Sequence, residues 1–191
     1  MSTLASVRSK DNFERRLEAA RAGADWAWRE IYASLAPGIL GYLRARGVAD
    51  AEDLAGEVFL QVVRDLPEFH GDADGFRAWV FTIAHHRLLD ERRREARRPR
   101  ELGEPEPDEL SRSGGDVEEE ALRQLDLERV TRILATLSPD QRDVLLLRIV
   151  GDLSVEDVAR VVGKRSGAVK QLQRRGLAAI LRQLASVGAR R

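Results

Sequence analysis

Residues 153–175, LSVEDVARVVGKRSGAVKQLQRR, hold two short helical patterns separated by a glycine, and few folds accept that arrangement. Ser154 is a good N-cap, with Asp157 three residues on as its capping-box partner. Val155, Val158, Ala159 and Val162 share one helical face, and small Ala159 lets a second helix approach closely. Gly163 stops the first helix, because a tight turn favours a residue that tolerates positive φ. Ser166 is placed to cap the second helix, which turns Val169 and Leu172 inward. Lys170, Gln171, Arg174 and Arg175 then point outward at a spacing that suits a DNA major groove. The pattern is that of a helix-turn-helix. Two positions depart from it. Lys164 stands where the turn often carries a branched apolar residue, and Gly167 costs the second helix roughly 1 kcal/mol relative to Ala.

The competing reading is an ordinary helical hairpin with a solvated basic face. Against it, residues 160–191 contain Arg160, Lys164, Arg165, Lys170, Arg174, Arg175, Arg182, Arg190 and Arg191 and no acid at all. A cation stripe of that kind is the footprint of a nucleic-acid partner. The formal charge of the 191-residue chain is zero only because its segments cancel. Residues 87–100 are mostly basic, and 101–120 hold a dense run of acids with Arg112 as the lone cation. Such asymmetry speaks to partners rather than to fold. Cysteine is absent, which excludes disulfides and thiolate metal sites. No apolar run reaches the ~20 residues of a membrane helix, and residues 1–10 lack the core of a secretory signal. A cytoplasmic protein without membrane insertion is expected.

Strand signals are nearly missing, so the expected class is all-α: two small helical domains joined by a flexible acidic linker. Residues 1–24 read as a frayed helical tail. In the first domain, 25–98, Asp25 caps a helix that Pro37 should kink and Gly47 should end. Asp50 caps the next helix, which stops before Pro67. A loop over 67–74 leads into a long helix from Gly75 to about Arg98. The linker, 99–117, is rich in Pro, Gly and acids. The second domain, 118–187, has a helix to about Leu137, another opened by Ser138-Pro139-Asp140-Gln141 and ending near Gly151, and then the helix-turn-helix.

In the helix that begins at Ala51, Leu54, Val58, Phe59, Val62, Val63 and Leu66 fall on one broad half. The other half holds Asp53, Gly56, Glu57, Gln61 and Arg64, with Leu60 among them. An exposed Leu is unremarkable by itself; ringed by charges it also suits a docking anchor with a polar rim. The long helix is apolar on most sides up to Leu89 and then abruptly basic. Phe76 and Trp79 fit core positions better than base-stacking platforms, since their spacing follows the buried stripe. His85 and His86 are adjacent and face apart, a poor metal pair, and neither metal nor cofactor is expected. Arg92, Arg93 and Arg94 fit a solvated helix end or, with the nearby aromatics and His70, a grip on a nucleic-acid backbone. Asp90 should pair with Arg87 or Arg94.

With these pieces in place, three segments in chain order resemble bacterial RNA polymerase sigma factors. The run Asp50-Ala51-Glu52-Asp53-Leu54-Ala55-Gly56-Glu57-Val58-Phe59-Leu60 resembles their core-polymerase-binding segment. The long helix, with Phe76-Arg77-Ala78-Trp79, Ala84, Asp90 and Arg93-Arg94, resembles the part that meets the promoter −10 element. From Leu137-Ser138-Pro139 through Ile180 the chain resembles the −35-binding domain. The compact two-domain, extracytoplasmic-function (ECF) type fits best. The resemblance implies that Asp53, Glu57, Leu60, Gln61 and Arg64 dock on core RNA polymerase. It places Phe69, His70, Arg77, Trp79, His85, His86 and Arg92 on the −10 element and its opened strand. Lys170, Gln171, Arg174 and Arg175 would read the −35 duplex, with Arg165 and Ser166 on phosphates. It also implies an anti-sigma protein as a further partner, and a monomer when free of partners. Aromatics look scarce around Trp79, so strand opening by stacking should be weak and −10 recognition strict.

A linker of about 19 residues at ~3.3 Å each reaches ~60 Å, close to the rise of roughly 18 base pairs at ~3.4 Å. Two tethered modules can therefore touch separate promoter elements. The acidic stretch could also shield them in the free protein; neutralising Glu118, Glu119 and Glu120 should then raise DNA affinity. The alternative function is a dimeric operator-binding regulator with 25–98 as a sensor, which leaves the polar face of the 51–64 helix idle. An enzyme has little support: there is no nucleophile with an orienting base, no phosphate-binding glycine loop and no paired carboxylates in a plausible pocket.

Overall fold

The computed structural model describes the backbone of residues 2–97, 130 and 132–188, and side chains from residue 12 to 185 within those limits. The expected linker, the shielding glutamates and most of the 118–137 helix lie outside the described residues. The N-terminal unit comprises α1 (Ser2–Arg21), α2 (Asp25–Ala45), α3 (Ala51–Asp65), a 3-10 turn (Leu66–Glu68) and α4 (Ala73–Arg97). The C-terminal unit comprises α5 (Pro139–Ile149), α6 (Val155–Val161) and α7 (Ser166–Gly188). Among the described residues every regular element is helical.

Each helix of the N-terminal unit buries a face that its periodicity announces. α2 sends Ala27, Ile31, Leu35, Ile39, Tyr42 and Leu43 inward, and it continues through Pro37 as one helix. Its N-cap is Ala24, and Asp25 sits in the first turn, where a carboxylate favours the positive helix end. α3 buries Ala51, Leu54, Ala55, Val58, Phe59 and Val62. Val63, expected on the same half, is instead about half exposed, because it falls at the edge of that stripe. Asp50 is the N-cap of α3 without a side-chain capping bond. Gly47, with φ +77°, ends α2 as the sequence suggests.

The expected frayed tail is a docked helix from Asn12 onward. Leu17 and Ala20 are buried, Phe13 packs on Phe76 with ring centroids 5.5 Å apart, and the Trp28 indole donates to Ala20 O at 3.1 Å. Its apolar positions at 13, 17 and 20 follow helical spacing, a stripe hidden in the sequence by the surrounding arginines and glutamates.

α4 is the centre of the molecule. It packs against α1, α2 and α3 on one side and against α6 on the other. That is why it is apolar almost all round: Phe76, Val80, Ile83 and Ala84 are buried, and so are Ala78, Phe81, His85 and Leu88. The two units therefore share an interior in this structure. Val150 seats on Gly38 and Gly41 of α2, and Arg77 donates to Gly151 O at 3.3 Å.

Within the C-terminal unit both expected capping boxes are present. Gln141 N donates to Ser138 Oγ and Ser138 N to Gln141 Oε1; Asp157 N donates to Ser154 Oγ and Ser154 N to Asp157 Oδ2. Gly163 has φ +64°, the left-handed turn that the pattern requires. Ser166 is the first residue of α7 rather than its cap; the backbone carbonyl of Arg165 accepts from Ala168 N and Val169 N instead. Lys164, the odd residue of the turn, has a role: its Nζ lies 2.9 Å from Asp140 Oδ2, tying the turn to the start of α5.

Candidate nucleic-acid interface

The second helix of the motif presents its polar set as the spacing dictates. Val169 is fully buried, Leu172 is half-buried, and Lys170, Gln171, Arg174 and Arg175 are all exposed. Arg165 is exposed at the N-terminal end of α7 and Ser166 is partly covered. α7 comes close to α5 because residue 176 is glycine; a Cβ there would stand 2.8 Å from Leu145 Cδ1. Sequence reading passed over Gly176, although a glycine in mid-helix is a recognisable signal of close packing.

The other candidate surface is a cleft of about 870 Å³ beside the start of α4. Phe69, His70, Asp72, Trp79 and Thr82 form one side, and Asp157 and Arg160 of α6 close the other. Phe69, Phe76 and Trp79 make a trio with centroids 5.1–5.6 Å apart, and Phe13 adds a fourth ring. The expectation that aromatics are scarce around Trp79 fails, because Phe69 before α4 and Phe76 of its own helix both pack on it, with Phe13 of α1 behind Phe76. Phe76 is core, as its spacing implied. The half-buried Trp79 is both wall and packing residue.

The −10 candidates divide sharply. His70 and His86 are exposed, Phe69 and Trp79 partly so. Arg77 is engaged with Gly151, and Arg92 donates to Arg46 O at 2.7 Å. His85 is buried and bonded to Tyr42, 2.8 Å from Nδ1 to the hydroxyl, so in this arrangement it offers DNA no surface. Its neighbour His86 faces outward, as adjacent helical residues must. The expected pairing of Asp90 is also corrected: Asp90 holds Arg93, Glu91 holds Arg94, and Arg87 reaches across to α3.

On α3, Leu60 is 70% exposed and the carboxylates of Asp53 and Glu57 stand beside it in solvent. Arg87 fixes this face from below, 3.2 Å from Glu57 Oε2 and donating to Gln61 Oε1 at 2.9 Å. Arg64 contacts Asp65. Sequence reading gave Arg87 to Asp90 instead, and it missed that Tyr32, tilted against Phe59 with ring centroids 4.6 Å apart, and Val63 extend the apolar patch.

A polar group not anticipated lies between the units. Asp143 of α5 is 2.7 Å from Arg46 Nε and accepts from the Tyr42 hydroxyl at 3.1 Å. Tyr42 has one proton, which goes to the carboxylate, so the δ-protonated His85 ring donates to the phenol oxygen. The Arg46 Nε–H is not aligned on the carboxylate, which makes the contact ionic rather than a good hydrogen bond. Burial, helped by Asp143, pushes the Tyr42 phenol well above its ordinary range; burial pulls His85 below its usual value. Burial and then Arg46 lower Arg92 and Arg142 as well. Among the described residues no cluster of His, Asp and Glu could hold a metal ion, and no helix is long and apolar enough to cross a membrane.

Known proteins match both units. Residues 31–98 match Sigma-70 region 2 and residues 127–180 match Sigma-70, region 4. The ECF RNA polymerase sigma factor SigD of Mycobacterium tuberculosis is 32% identical over 175 residues, covering 88% of this chain and 82% of SigD. The fold resembles CnrH in complex with the cytosolic domain of CnrY, with a TM-score of 0.65 at 22% identity over 90% of this chain and 96% of that one. It also resembles the sigma factor RpoE in complex with the anti-sigma factor NepR from Bartonella quintana, with a TM-score of 0.62 at 20% identity over 82% and 96%. Nothing in these matches favours an operator-binding regulator. The chain belongs to the extracytoplasmic-function sigma factors, the proteins that direct RNA polymerase to promoters.

Proposed function

We propose that this sigma factor docks on core polymerase through the α3 face centred on Leu60, with Asp53, Glu57, Gln61 and Arg64 as its rim. Leu60 supplies a projecting apolar anchor, and Arg87 holds Glu57 and Gln61 in place around it. Lys170, Gln171, Arg174 and Arg175 read the −35 duplex, with Arg165 and Ser166 on phosphates. The cleft of Phe69, His70 and Trp79 receives the opened −10 strand, where unstacking a base costs a few kcal/mol. Arg77, Arg92 and His86 lie along the same helix and follow that strand once the units part; His85 needs the junction opened. The role is binding and positioning without catalysis, exerted in the cytoplasm where the polymerase acts. The free protein is a monomer restrained by an anti-sigma protein, as the similarity to RpoE in its complex with NepR suggests.

The observation that carries this reading is the four-residue polar face of α7, exposed above a buried Val169. The test is reconstitution with core polymerase and transcription from genomic fragments. The wild-type chain should bind core and yield discrete start sites. Leu60→Glu should abolish core binding with the fold intact, and Lys170→Ala with Arg174→Ala should abolish −35-dependent starts while core binding persists. A chain that cannot bind core overturns the docking assignment.

A further inference from the structure

α1 lies outside the residues matched by either sigma region, yet it touches the loop assigned above to the −10 strand. The 3-10 turn Leu66–Glu68 and the residues up to Ala73 form a break between two helices, in which Leu66 O accepts from Phe69 N at 3.1 Å while Phe69 O lies outside either helix's ladder. Arg21, in the last turn of α1, gives Phe69 O a partner and Leu66 O a second one. Its Nη2 donates to Phe69 O and its Nε to Leu66 O at 3.5 Å, both across more than forty residues of sequence. A guanidinium is well shaped for this, because its donors leave one planar fork in two directions, and the C-terminal end of α1 favours a cation. About two turns earlier, Phe13 backs Phe76, the ring against which both Phe69 and Trp79 rest. Leu17 and Ala20 bury the span between these two contacts, and the Trp28 indole closes the α1–α2 hairpin on Ala20 O.

We propose that α1 is a brace for −10 recognition, with Arg21 and Phe13 as positioning residues that hold Phe69 and Trp79 in register for an unpaired base. Neither residue contacts DNA. Arg21 fixes the backbone at residue 69, and Phe13 fixes the floor beneath the two rings. The inference rests on the assignment of the cleft to the −10 strand.

The test uses holoenzyme made with the full-length chain and a fluorescent single-stranded −10 oligonucleotide, with −35 duplex binding and core binding measured alongside. Arg21→Met should weaken oligonucleotide binding about tenfold, equivalent to one decade in Kd, with −35 duplex and core affinities unchanged. Arg21→Lys should recover part of the loss, since an ammonium keeps the charge and donors but lacks the planar fork that spans both carbonyls. Phe13→Leu keeps most of the volume, so it guards against a variant that fails to fold; it should also shift Trp79 emission and broaden the tolerated −10 sequence. His70→Ala and Trp79→Ala test the underlying assignment. If these two leave −10 binding intact, the cleft is not the strand site. If they impair it while Arg21→Met and Phe13→Leu do not, α1 is only packing and the brace is refuted.

Discussion

Arg46 and Asp143 meet across the junction of the two units, Nε to Oδ1 at 2.7 Å, with both side chains nearly sealed from solvent. Burying a guanidinium and a carboxylate has a desolvation cost of several kcal/mol per ion, and their attraction offsets it only while both are present. Asp143→Ala therefore leaves Arg46 charged and unpaired in the interior and removes the acceptor of Tyr42. The expected cost is about 3–5 kcal/mol at the junction. Small-angle scattering should show a larger radius for the variant while far-ultraviolet circular dichroism keeps its helical signal. An unchanged radius would mean that the remaining contacts, Val150 on Gly38 and Gly41 and Arg77 on Gly151 O among them, hold the units together without the ion pair.

The same junction should respond to acid. His85 is surrounded by Tyr42 of α2 and Arg46 just past its end, His86 and Arg92 of its own helix, and Asp143 of α5. Burial lowers its pKa below the ordinary 6.5, with only Asp143 opposing. A base that is harder to protonate when folded binds fewer protons in the folded state than in the unfolded one. Stability is then full above pH ~6.5 and is lost as pH falls below it, until the folded pKa is passed. Urea midpoints should drop between pH 7 and pH 5, and His85→Gln should flatten that dependence. A His85→Gln profile that tracks the wild type would place the titrating group elsewhere.

Helix class, capping boxes, the left-handed turn and the outward set on α7 were legible because they depend on local spacing. The junction was not, although two clues to it were present. α4 is apolar on nearly every side, which a helix covering one small core has no need to be, and Tyr42 and Asp143 occupy core positions of their helices. Both clues concern contacts remote in sequence, which periodicity counts as burial without naming the partner. Arg21 was missed, and Arg87 was given the wrong partner, for a related reason. Each acts through long-range bonds to another element, whereas sequence alone treats an arginine as solvated or locally paired. The docked α1 escaped notice because its apolar stripe is only one residue wide per turn.

Two glycines of α7 should respond oppositely to the same change. Gly167 has open space around its Cβ direction, so Gly167→Ala should stabilise the free protein by about 0.5–1 kcal/mol through helix propensity. Gly176 faces buried Leu145, where the new methyl meets Cδ1 at 2.8 Å and Cγ at 3.3 Å. Overpacking typically costs about 1–3 kcal/mol, more than the propensity gain, so Gly176→Ala should destabilise. Chemical denaturation of both variants checks the pair, and equal shifts would show that Leu145 moves aside freely.

The assignment of separate roles to the cations of the helix-turn-helix can be tested through salt. A residue that neutralises a phosphate releases counterions, so its loss lowers affinity for every sequence and reduces the log–log salt slope by about 0.9 per contact. A residue that reads a base edge instead loses about 1–3 kcal/mol on the preferred base pair only. Arg165 is exposed at the start of α7, where a helix N-terminus already favours phosphate. Arg165→Ala should therefore weaken holoenzyme binding across all −35 variants and flatten the slope by nearly one. Gln171 carries no charge and stands in the middle of the outward face. Gln171→Ala should leave the slope unchanged while relaxing preference at a single −35 position. If both substitutions change only the slope, or both change only base preference, the division of labour along α7 is wrong.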